Sequence, residues 1–298
     1  MWIASAQANT VGAQATQILM PSVLEKTAAY LRTTRHAWIR YLAKVFYYRI
    51  FRKFRIARHR RRLVSQYGPN PLPLVRSDTL LGPGPYELSH YTFTPWSPTP
   101  LEYALIQGLA RRFLPCHFLE IGSLRAELLA NLNGVVESST GVTLSKEDLA
   151  RMGFDKPVVD TNMMFAGDVK NLRLIYADSK SYDFSELPRT FNLAFIDGNH
   201  LYEFVKSDTE NVLSVCAPES VMVWHDYVLA DHTTIHWEVF AGILDGLPRE
   251  TWKRLYHVNN TTCAVLLPET WSVQPHKHVF YPERVYSITI AASKAIKR

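Results

Sequence analysis

Residues 191–227 read FNLAFIDGNHLYEFVKSDTENVLSVCAPESVMVWHDY, and the fold can be worked out from this stretch. Two short apolar runs, Phe191–Ile196 and Val221–Trp224, flank a helix-like segment at Tyr202–Cys216. Apolar runs of this length are typical of parallel strands that are covered on both faces. The pattern therefore predicts a β-α-β unit.

Acidic side chains follow both predicted strands. Asp197 comes directly after the first strand, and His225 and Asp226 come directly after the second. In an open α/β sheet, ligands bind at the carboxyl ends of the parallel strands. We therefore expect the chemistry of this protein at that edge.

The same alternation of strands and helices extends from Pro100 to Leu267. Three further parallel strands are predicted at His117–Ile121, Ser139–Leu144 and Leu172–Ala177. Helices are predicted at 101–113, 126–132, 145–152 and 231–244, with an irregular insertion at 153–170 and a C-terminal hairpin across Asn259 and Asn260. The prediction is an α/β fold, with a doubly wound, mostly parallel, Rossmann-like sheet of seven strands that ends in an antiparallel hairpin.

Charge and composition divide the chain into four parts. Residues 1–77 carry fourteen Lys and Arg against one acid, Glu25, whereas the rest carries nineteen basic and twenty-six acidic residues, a net charge of −7. We predict an N-terminal arm at 1–67, with a poorly ordered start and a basic helix at 23–66. A Pro- and Gly-rich connector at 68–99, a folded body at 100–268 and a tail at 269–298 follow.

The basic arm has three open interpretations. Between Arg32 and Arg62 there are twelve basic residues, interleaved with aromatic ones, and no acid. Such a helix can lie on an anionic membrane surface, pack against the body or a second copy in a homo-oligomer, or contact nucleic acid. The acidic body argues against nucleic acid as a partner.

The remaining composition indicates a reducing compartment. Cys116, Cys216 and Cys263 are odd in number and lack zinc or CxxC spacing, so reduced thiols are expected. We also find neither a secretory signal pattern nor an apolar run of spanning length. The expected location is cytoplasmic, with peripheral membrane contact through the arm as an open option.

Five motifs along the body carry a resemblance. In order they are FLEIG, GVTLS, IYADS, FNLAFIDGNHLYEFVKSD and VMVWHDY. This series resembles the class I S-adenosylmethionine-dependent methyltransferases. It is most similar to their small-molecule O-methyltransferase branch, which includes macrolide-sugar methyltransferases and cephalosporin-hydroxylase-like proteins.

The resemblance implies S-adenosylmethionine as cofactor. Seven residues match cofactor-binding positions: Glu120, Gly122, Ser123, Thr143, Asp178, Ser179 and Asp197. The first three match the turn that holds the methionine end, and Asp178 with Ser179 matches the strand exit that faces adenine. Two departures weaken the expected cofactor binding: Leu124 and Ala126 replace the second and third glycines of the family turn, and Thr143 replaces the acid that holds the ribose.

Four residues at the strand exits are candidate catalytic groups: Asp197, His200, His225 and Asp226. One interpretation is that His225 or His200 is the general base for a hydroxyl acceptor. Another is that Asp197 and Asp226 bind Mg²⁺, which lowers the pKa of the hydroxyl. Both carboxylates can instead cap helices, and His225 can be structural. Tyr202, His232 and His236 are further neighbours of the expected acceptor pocket.

The predicted function is methyl transfer to a small hydroxylated acceptor, such as a sugar, a glycolipid precursor or a secondary metabolite. Leu124 and Thr143 favour an alternative, a catalytically silent methyltransferase-like domain that serves as a binding or assembly module. Nothing in the sequence supports nucleophilic catalysis, since it has neither a G-x-S-x-G elbow nor a P-loop.

Overall fold

The computed structural model describes residues 51–69, 72–94, 96–276 and 284–291. The chain divides into two compact units, Met1–Arg55 and Ile56–Arg298. Within the first unit, residues 51–55 are helical; the rest of the predicted arm, and residues 277–283 and 292–298 of the tail, lie outside the described residues. The second unit opens with helix α1, residues 56–67.

One eight-stranded sheet forms the centre of the second unit. Its strands are β1 Leu74–Val75, β2 His117–Ile121, β3 Ser138–Thr143, β4 Leu172–Tyr176, β5 Phe191–Ile196, β6 Cys216–Trp224, β7 Leu255–Val258 and β8 Ala264–Leu266. Their spatial order is β1-β7-β8-β6-β5-β2-β3-β4. Strands β2 to β6 are parallel, and β8 is antiparallel to both β6 and β7. This is the predicted Rossmann-like fold with its antiparallel hairpin.

Helices cover both faces of the sheet. They are α2 Ser77–Leu81, α3 Pro100–Ala110, α4 Glu127–Asn131, α5 Lys146–Met152, α6 Lys156–Thr161, α7 Tyr202–Val215 and α8 Trp237–Gly246. Alternate residues of β2 point to opposite faces, so that Leu119 packs with the α7 and α8 side and Phe118 with the α3 and α4 side. The sheet is therefore buried on both faces, as its apolar strands predict.

The eighth strand, β1, corrects the prediction of seven. Leu74 and Val75 pair with β7 in parallel register, and both side chains are buried. The amide of Asn259 also donates to the Val75 carbonyl at 2.9 Å. Only two apolar residues follow a proline-rich segment here, which is too short a run to produce a strand pattern.

Two further sequence predictions were incomplete. Strand β6 begins at Cys216 rather than Val221, because a register shift against β5 between Phe191 and Leu193 accommodates the polar residues in between. The segment predicted to be irregular contains α6, whose Pro157 lies in the first turn, where proline is favourable, and a short 3-10 helix at Ala166–Asp168. The three cysteines are buried free thiols, as expected.

Candidate active site

The carboxyl ends of β5 and β6 bring the predicted catalytic groups together. The amide of Asp197 donates to the Ile121 carbonyl at 2.9 Å, and the amide of His225 donates to the Ile196 carbonyl at 3.1 Å. These bonds extend the parallel ladder one residue beyond each strand. Asp226 then takes a left-handed conformation, with φ 57°, which aspartate tolerates better than most residues.

Two histidines and two carboxylates form a cluster at this edge. Nδ1 of His225 lies 3.3 Å from Oδ1 of Asp197 and 3.4 Å from Oδ1 of Asp226. Nε2 of His200 lies 3.5 Å from Oδ1 of Asp197 and 3.2 Å from Oδ2 of Asp226. All four predicted catalytic residues are therefore in mutual contact, although 29 positions separate the ends of the set in the sequence.

A fifth charged group, Glu102 of α3, contacts the cluster from the opposite side. Its Oε2 lies 3.4 Å from Nε2 of His225, and its side chain is 1% exposed. Glu102 also belongs to a capping box at the start of α3, in which its Oε2 accepts from the amide of Thr99 at 2.6 Å. Sequence analysis missed this residue, because the capping pattern reveals its local role but not its partner 123 positions away.

The proximity of these groups shifts their pKa values. Burial raises the pKa of Asp197, but the charges of His225 and His200 outweigh it and hold that pKa below its usual range. Burial opposes protonation of His225, yet the facing carboxylates raise its pKa well above the ordinary value. The pKa of His200 is raised in the same way. The contacts therefore favour the charged forms of Asp197 and of both histidines.

Asp197, His225 and Asp226 are also arranged to hold a metal ion. Each offers one ligand atom, and these three atoms lie within 4.8 Å of one another. The two carboxylates suit Mg²⁺, whereas an imidazole nitrogen is more typical of transition-metal sites. The donor set therefore fits Mg²⁺ through its two carboxylates and extends to ions that also accept nitrogen.

The loop after β2 is the segment that the sequence analysis predicted to be a cofactor turn. Gly122 has φ 94°, and a Cβ there would lie 2.2 Å from the Asp197 carbonyl oxygen. This glycine is therefore required by the contact between the β2 and β5 exits. Ala126, at the third glycine position, takes φ 63°, whereas Leu124 is not among the described residues with positive φ.

The carbonyl groups of the same loop are held by the segment after α6. The amide of Met163 donates to the Leu124 carbonyl at 2.7 Å, and the amide of Phe165 donates to the Arg125 carbonyl at 3.2 Å. The insertion at 153–170 thus supports the loop in which the glycines of the family turn are missing.

A cleft opens above this loop, and the empty space in it, open solvent included, amounts to about 290 Å³. Its walls include Glu120, Gly122, Ser123, Leu124 and Asp197. Oε2 of Glu120 and Oγ of Ser123 are buried in it without a hydrogen-bond partner among the described residues. Burial raises the pKa of Glu120 to about 8. Unsatisfied polar atoms of this kind fit the amino and carboxylate groups of an amino-acid moiety.

Residues of the predicted connector cover one side of the cleft. Ser97 lines the cleft with Trp96; its hydroxyl donates to Oε2 of Glu127 at 2.6 Å and accepts from the Arg125 guanidinium at 2.6 Å. Glu127 also accepts from the Tyr103 hydroxyl at 3.0 Å and from the amide of Thr92 at 3.1 Å. These contacts were not predicted, because all the partners of Glu127 except Arg125 lie 24 or more residues earlier in the chain.

The other predicted cofactor residues lie along the same sheet edge but outside the walls of this cleft. Thr143 is the last residue of β3 and is largely buried. Asp178 follows β4, where its carboxylate accepts from the amide of Lys180 at 3.1 Å. The carbonyl of the adjacent Ser179 accepts from the Asn211 side chain at 3.1 Å.

Two suggested neighbours of the acceptor pocket have other contacts. The Tyr202 hydroxyl donates to Asp245 of α8 at 2.9 Å, so this side chain points away from the cluster. Nδ1 of His236 accepts from the amide of Val239 at 3.3 Å and caps α8. The His236 ring nevertheless lies near the cluster, with its centroid 6.2 Å from that of His200.

Comparison with known proteins shows which family part of the chain is similar to. A family model described as "Methyltransferase domain" matches residues 128–227. The matched stretch is about a third of the chain, and it begins directly after the loop that contains Leu124 and Ala126. Among curated proteins, none matches the chain.

Several solved structures are similar to part of this chain. They include YcgJ from Bacillus subtilis, with 16% identity, a TM-score of 0.31, and coverage of 41% of this chain and 48% of that one. They also include SAM-bound CalS10, an amino pentose methyltransferase from Micromonospora echinaspora, with 17% identity, a TM-score of 0.32, and coverage of 44% and 51%. SAH-bound methyltransferase PaMTH1 from Podospora anserina has 14% identity, a TM-score of 0.41, and coverage of 58% and 80%. The chain thus spans about half the length of YcgJ and CalS10.

Within the described residues, no helix combines the length and apolar content needed to cross a bilayer.

Proposed function

We propose that this protein is an S-adenosylmethionine-dependent O-methyltransferase for a small hydroxylated acceptor, such as a sugar, a glycolipid precursor or a secondary metabolite. The position of Asp197 is the main support. This carboxylate lines the cleft beside Glu120 and also contacts His225 and His200. A cofactor in the cleft and a hydroxyl at the cluster would therefore be adjacent, as methyl transfer requires.

The cofactor would occupy the cleft and the neighbouring sheet edge. Glu120 and Ser123 supply the unsatisfied polar atoms for its amino-acid end. By resemblance to the family, Thr143 would contact the ribose, and Asp178 with Ser179 would contact the adenine. When bound, S-adenosylmethionine supplies an electrophilic methyl group on a sulfonium.

The cluster would orient the acceptor and take its proton. Asp197 is ionised and can accept a hydrogen bond from the acceptor hydroxyl, which aligns the oxygen with the methyl group. Nδ1 of His225 faces the same gap. The positive charge of the bound cofactor would lower the pKa of His225, so that its neutral Nδ1 could take the hydroxyl proton while the sulfur–methyl bond breaks, the methyl group passes to the oxygen and S-adenosylhomocysteine is left. Should a metal ion such as Mg²⁺ take part, Asp197, Asp226 and His225 would hold it, and the ion would lower the pKa of the hydroxyl.

Calorimetry tests the proposal directly. The protein should bind S-adenosylmethionine and S-adenosylhomocysteine with micromolar dissociation constants. The variant Ser123→Leu, which fills the cleft, should weaken both, whereas Ser214→Leu on the exposed face of α7 should not. Lack of binding at millimolar ligand would refute the enzyme and favour the silent binding module. Titration with and without Mg²⁺ or Mn²⁺ shows whether an ion contributes.

The basic arm would serve as the contact with an anionic membrane surface. Between Phe51 and Arg62 the described residues include seven Lys and Arg and no acid, and Phe54 is 71% exposed. Cationic and exposed aromatic side chains together favour lipid headgroups. The protein should sediment with anionic vesicles and not with neutral ones. Equal sedimentation would refute this contact, and dimerisation through the arm would favour the homo-oligomer instead.

A further inference from the structure

Glu102 lies outside the strand exits that carry the proposed chemistry, yet it contacts their central histidine. We propose that Glu102 is a positioning residue that holds the His225 ring so that Nδ1 faces the gap between Asp197 and Asp226. This inference rests on the proposed function, since it assigns the gap to the reacting hydroxyl or its activating ion. Its structural basis is nevertheless independent of any cofactor.

The two nitrogens of His225 have separate environments. Nε2 is within hydrogen-bond distance of Oε2 of Glu102, at 3.4 Å. Nδ1 is buried and makes no hydrogen bond to the described residues, although two carboxylates lie 3.3 and 3.4 Å away. A carboxylate acceptor at Nε2 keeps the proton on that nitrogen, so the lone pair of a neutral ring is on Nδ1. The ring orientation therefore decides which atom faces the gap.

Glu102 is itself held rigidly on both carboxylate oxygens. Oε1 accepts from the amide of Thr262 at 2.7 Å and from its hydroxyl at 2.8 Å. Oε2 accepts from the amide of Thr99 at 2.6 Å. These donors lie in the turn before β8 and at the start of α3, and His225 follows β6, so three parts of the fold converge on one carboxylate. A group fixed in this way can set the rotation of the ring that it contacts.

The contact that Glu102 makes between α3 and the sheet does not depend on His225. Thr99 and Thr262 already give Glu102 three donors, which stabilise a buried carboxylate without the imidazole. The fourth contact, between Glu102 and Nε2 of His225, connects this buried network to the partly exposed cluster, in which the His225 side chain is 12% exposed. Histidines that bind metals commonly have a carboxylate at the second nitrogen, and its loss lowers metal affinity or activity roughly 10- to 100-fold.

The test compares Glu102→Gln with Thr262→Val. The first variant keeps the shape of the side chain but has only one acceptor oxygen; with that oxygen held at the Oε1 position by the two donors of Thr262, an NH2 group faces Nε2 of His225. The second removes one hydrogen bond to the other oxygen, Oε1, and leaves the contact with His225 intact. It therefore serves as a control for loss of stability in the same network.

Two measurements distinguish positioning from a purely structural role. In proton NMR, a downfield Nε2–H signal of His225 should be present in the wild type and in Thr262→Val and absent in Glu102→Gln. In turnover, Glu102→Gln should lower kcat about 10- to 100-fold with little change in KM for the cofactor, whereas Thr262→Val should stay within about threefold of the wild type.

The outcomes separate this inference from the proposed function. If the downfield signal persists in Glu102→Gln, or if both variants lose kcat equally, the positioning role is refuted. If the wild type binds no cofactor but the signal depends on Glu102, the enzyme proposal fails and the structural assignment stands. Should Glu102→Gln not fold, the wild-type Nε2–H must still show nuclear Overhauser contacts to the Glu102 side chain, and their absence would refute the inference.

Discussion

Substitution of Gly122 by alanine should destabilise the protein more than substitution of other glycines with similar backbone angles. A Cβ at this position would lie 2.2 Å from the Asp197 carbonyl oxygen, 2.6 Å from its carbonyl carbon and 2.9 Å from Cα of Gly198. All three are backbone atoms, so no change of rotamer relieves the overlap. The β2 and β5 exits must separate instead.

The expected size of this effect follows from two contributions. A non-glycine residue at φ 94° costs about 1–2 kcal/mol relative to glycine. Overpacking against backbone that can shift only slightly costs about 1–3 kcal/mol more. The sum is a loss of about 2–5 kcal/mol in the free energy of unfolding. Gly134→Ala and Gly153→Ala isolate the first contribution, since their φ values are 79° and 84° and nothing lies within 4 Å.

Urea unfolding followed by circular dichroism measures all three variants. Gly134→Ala and Gly153→Ala should each lose about 1–2 kcal/mol, and Gly122→Ala should lose clearly more. Because the overlap displaces Asp197, Gly122→Ala should also weaken S-adenosylmethionine binding at temperatures where it remains folded. A loss no larger than that of the two controls would show that the exits are not in close contact, and would refute the reasoning.

Three other predictions concern charge in the site. Asp197→Asn should abolish turnover while shifting the melting temperature by only a few degrees; retained turnover in a methyl-transfer assay would remove Asp197 from the site. The pKa of Glu120 is raised from 4.5 to about 8, so its protonated form favours folding and this contribution is lost as pH rises through 8. Glu120→Gln should therefore gain stability relative to the wild type between pH 5 and pH 8 in urea unfolding, and parallel curves would contradict this. The pKa of Glu102 is lowered from 4.5 to about 2, so its contribution is present above 4.5 and lost as pH falls toward 2. The stability difference between wild type and Glu102→Gln should shrink from pH 5 to pH 3, and a constant difference would count against an ionised Glu102.

Much of the fold could be predicted because its strongest signals are local. The bounds of β2 and β5 match the apolar runs, and the Ser145 cap of α5 forms the expected hydrogen bond with the amide of Asp148. The meeting of Asp197 with His225 and Asp226 follows from the same rule, since adjacent parallel strands end at one edge. Secondary structure therefore predicts the cluster without knowledge of any tertiary contact.

The rest of the site depends on contacts between distant parts of the chain. Glu102 meets Thr262 across 160 positions, and neither residue type nor spacing indicates this pair. Glu127 begins a short helix, yet its carboxylate is bound by residues of the connector, which composition describes only as extended. Side-chain networks of this kind have no periodicity, so the sequence reveals the donors and acceptors but not their pairing.

The arrangement also explains why the cofactor cleft and the histidine cluster should respond together. Gly122 contacts the backbone of Asp197, and the side chain of Asp197 contacts His225, so a displacement of the cofactor turn passes to the cluster through a single residue. Glu102 contacts the opposite side of the His225 ring, and the hydrogen bonds that hold Glu102 involve neither Gly122 nor Asp197. His225 is thus held between a fixed support and an element that lines the cleft. Ligand binding in the cleft should therefore change the distance from Asp197 to Nδ1 of His225, while the contact of Nε2 with Glu102 stays constant. A joint shift of the NMR signals of both His225 nitrogens would contradict this argument.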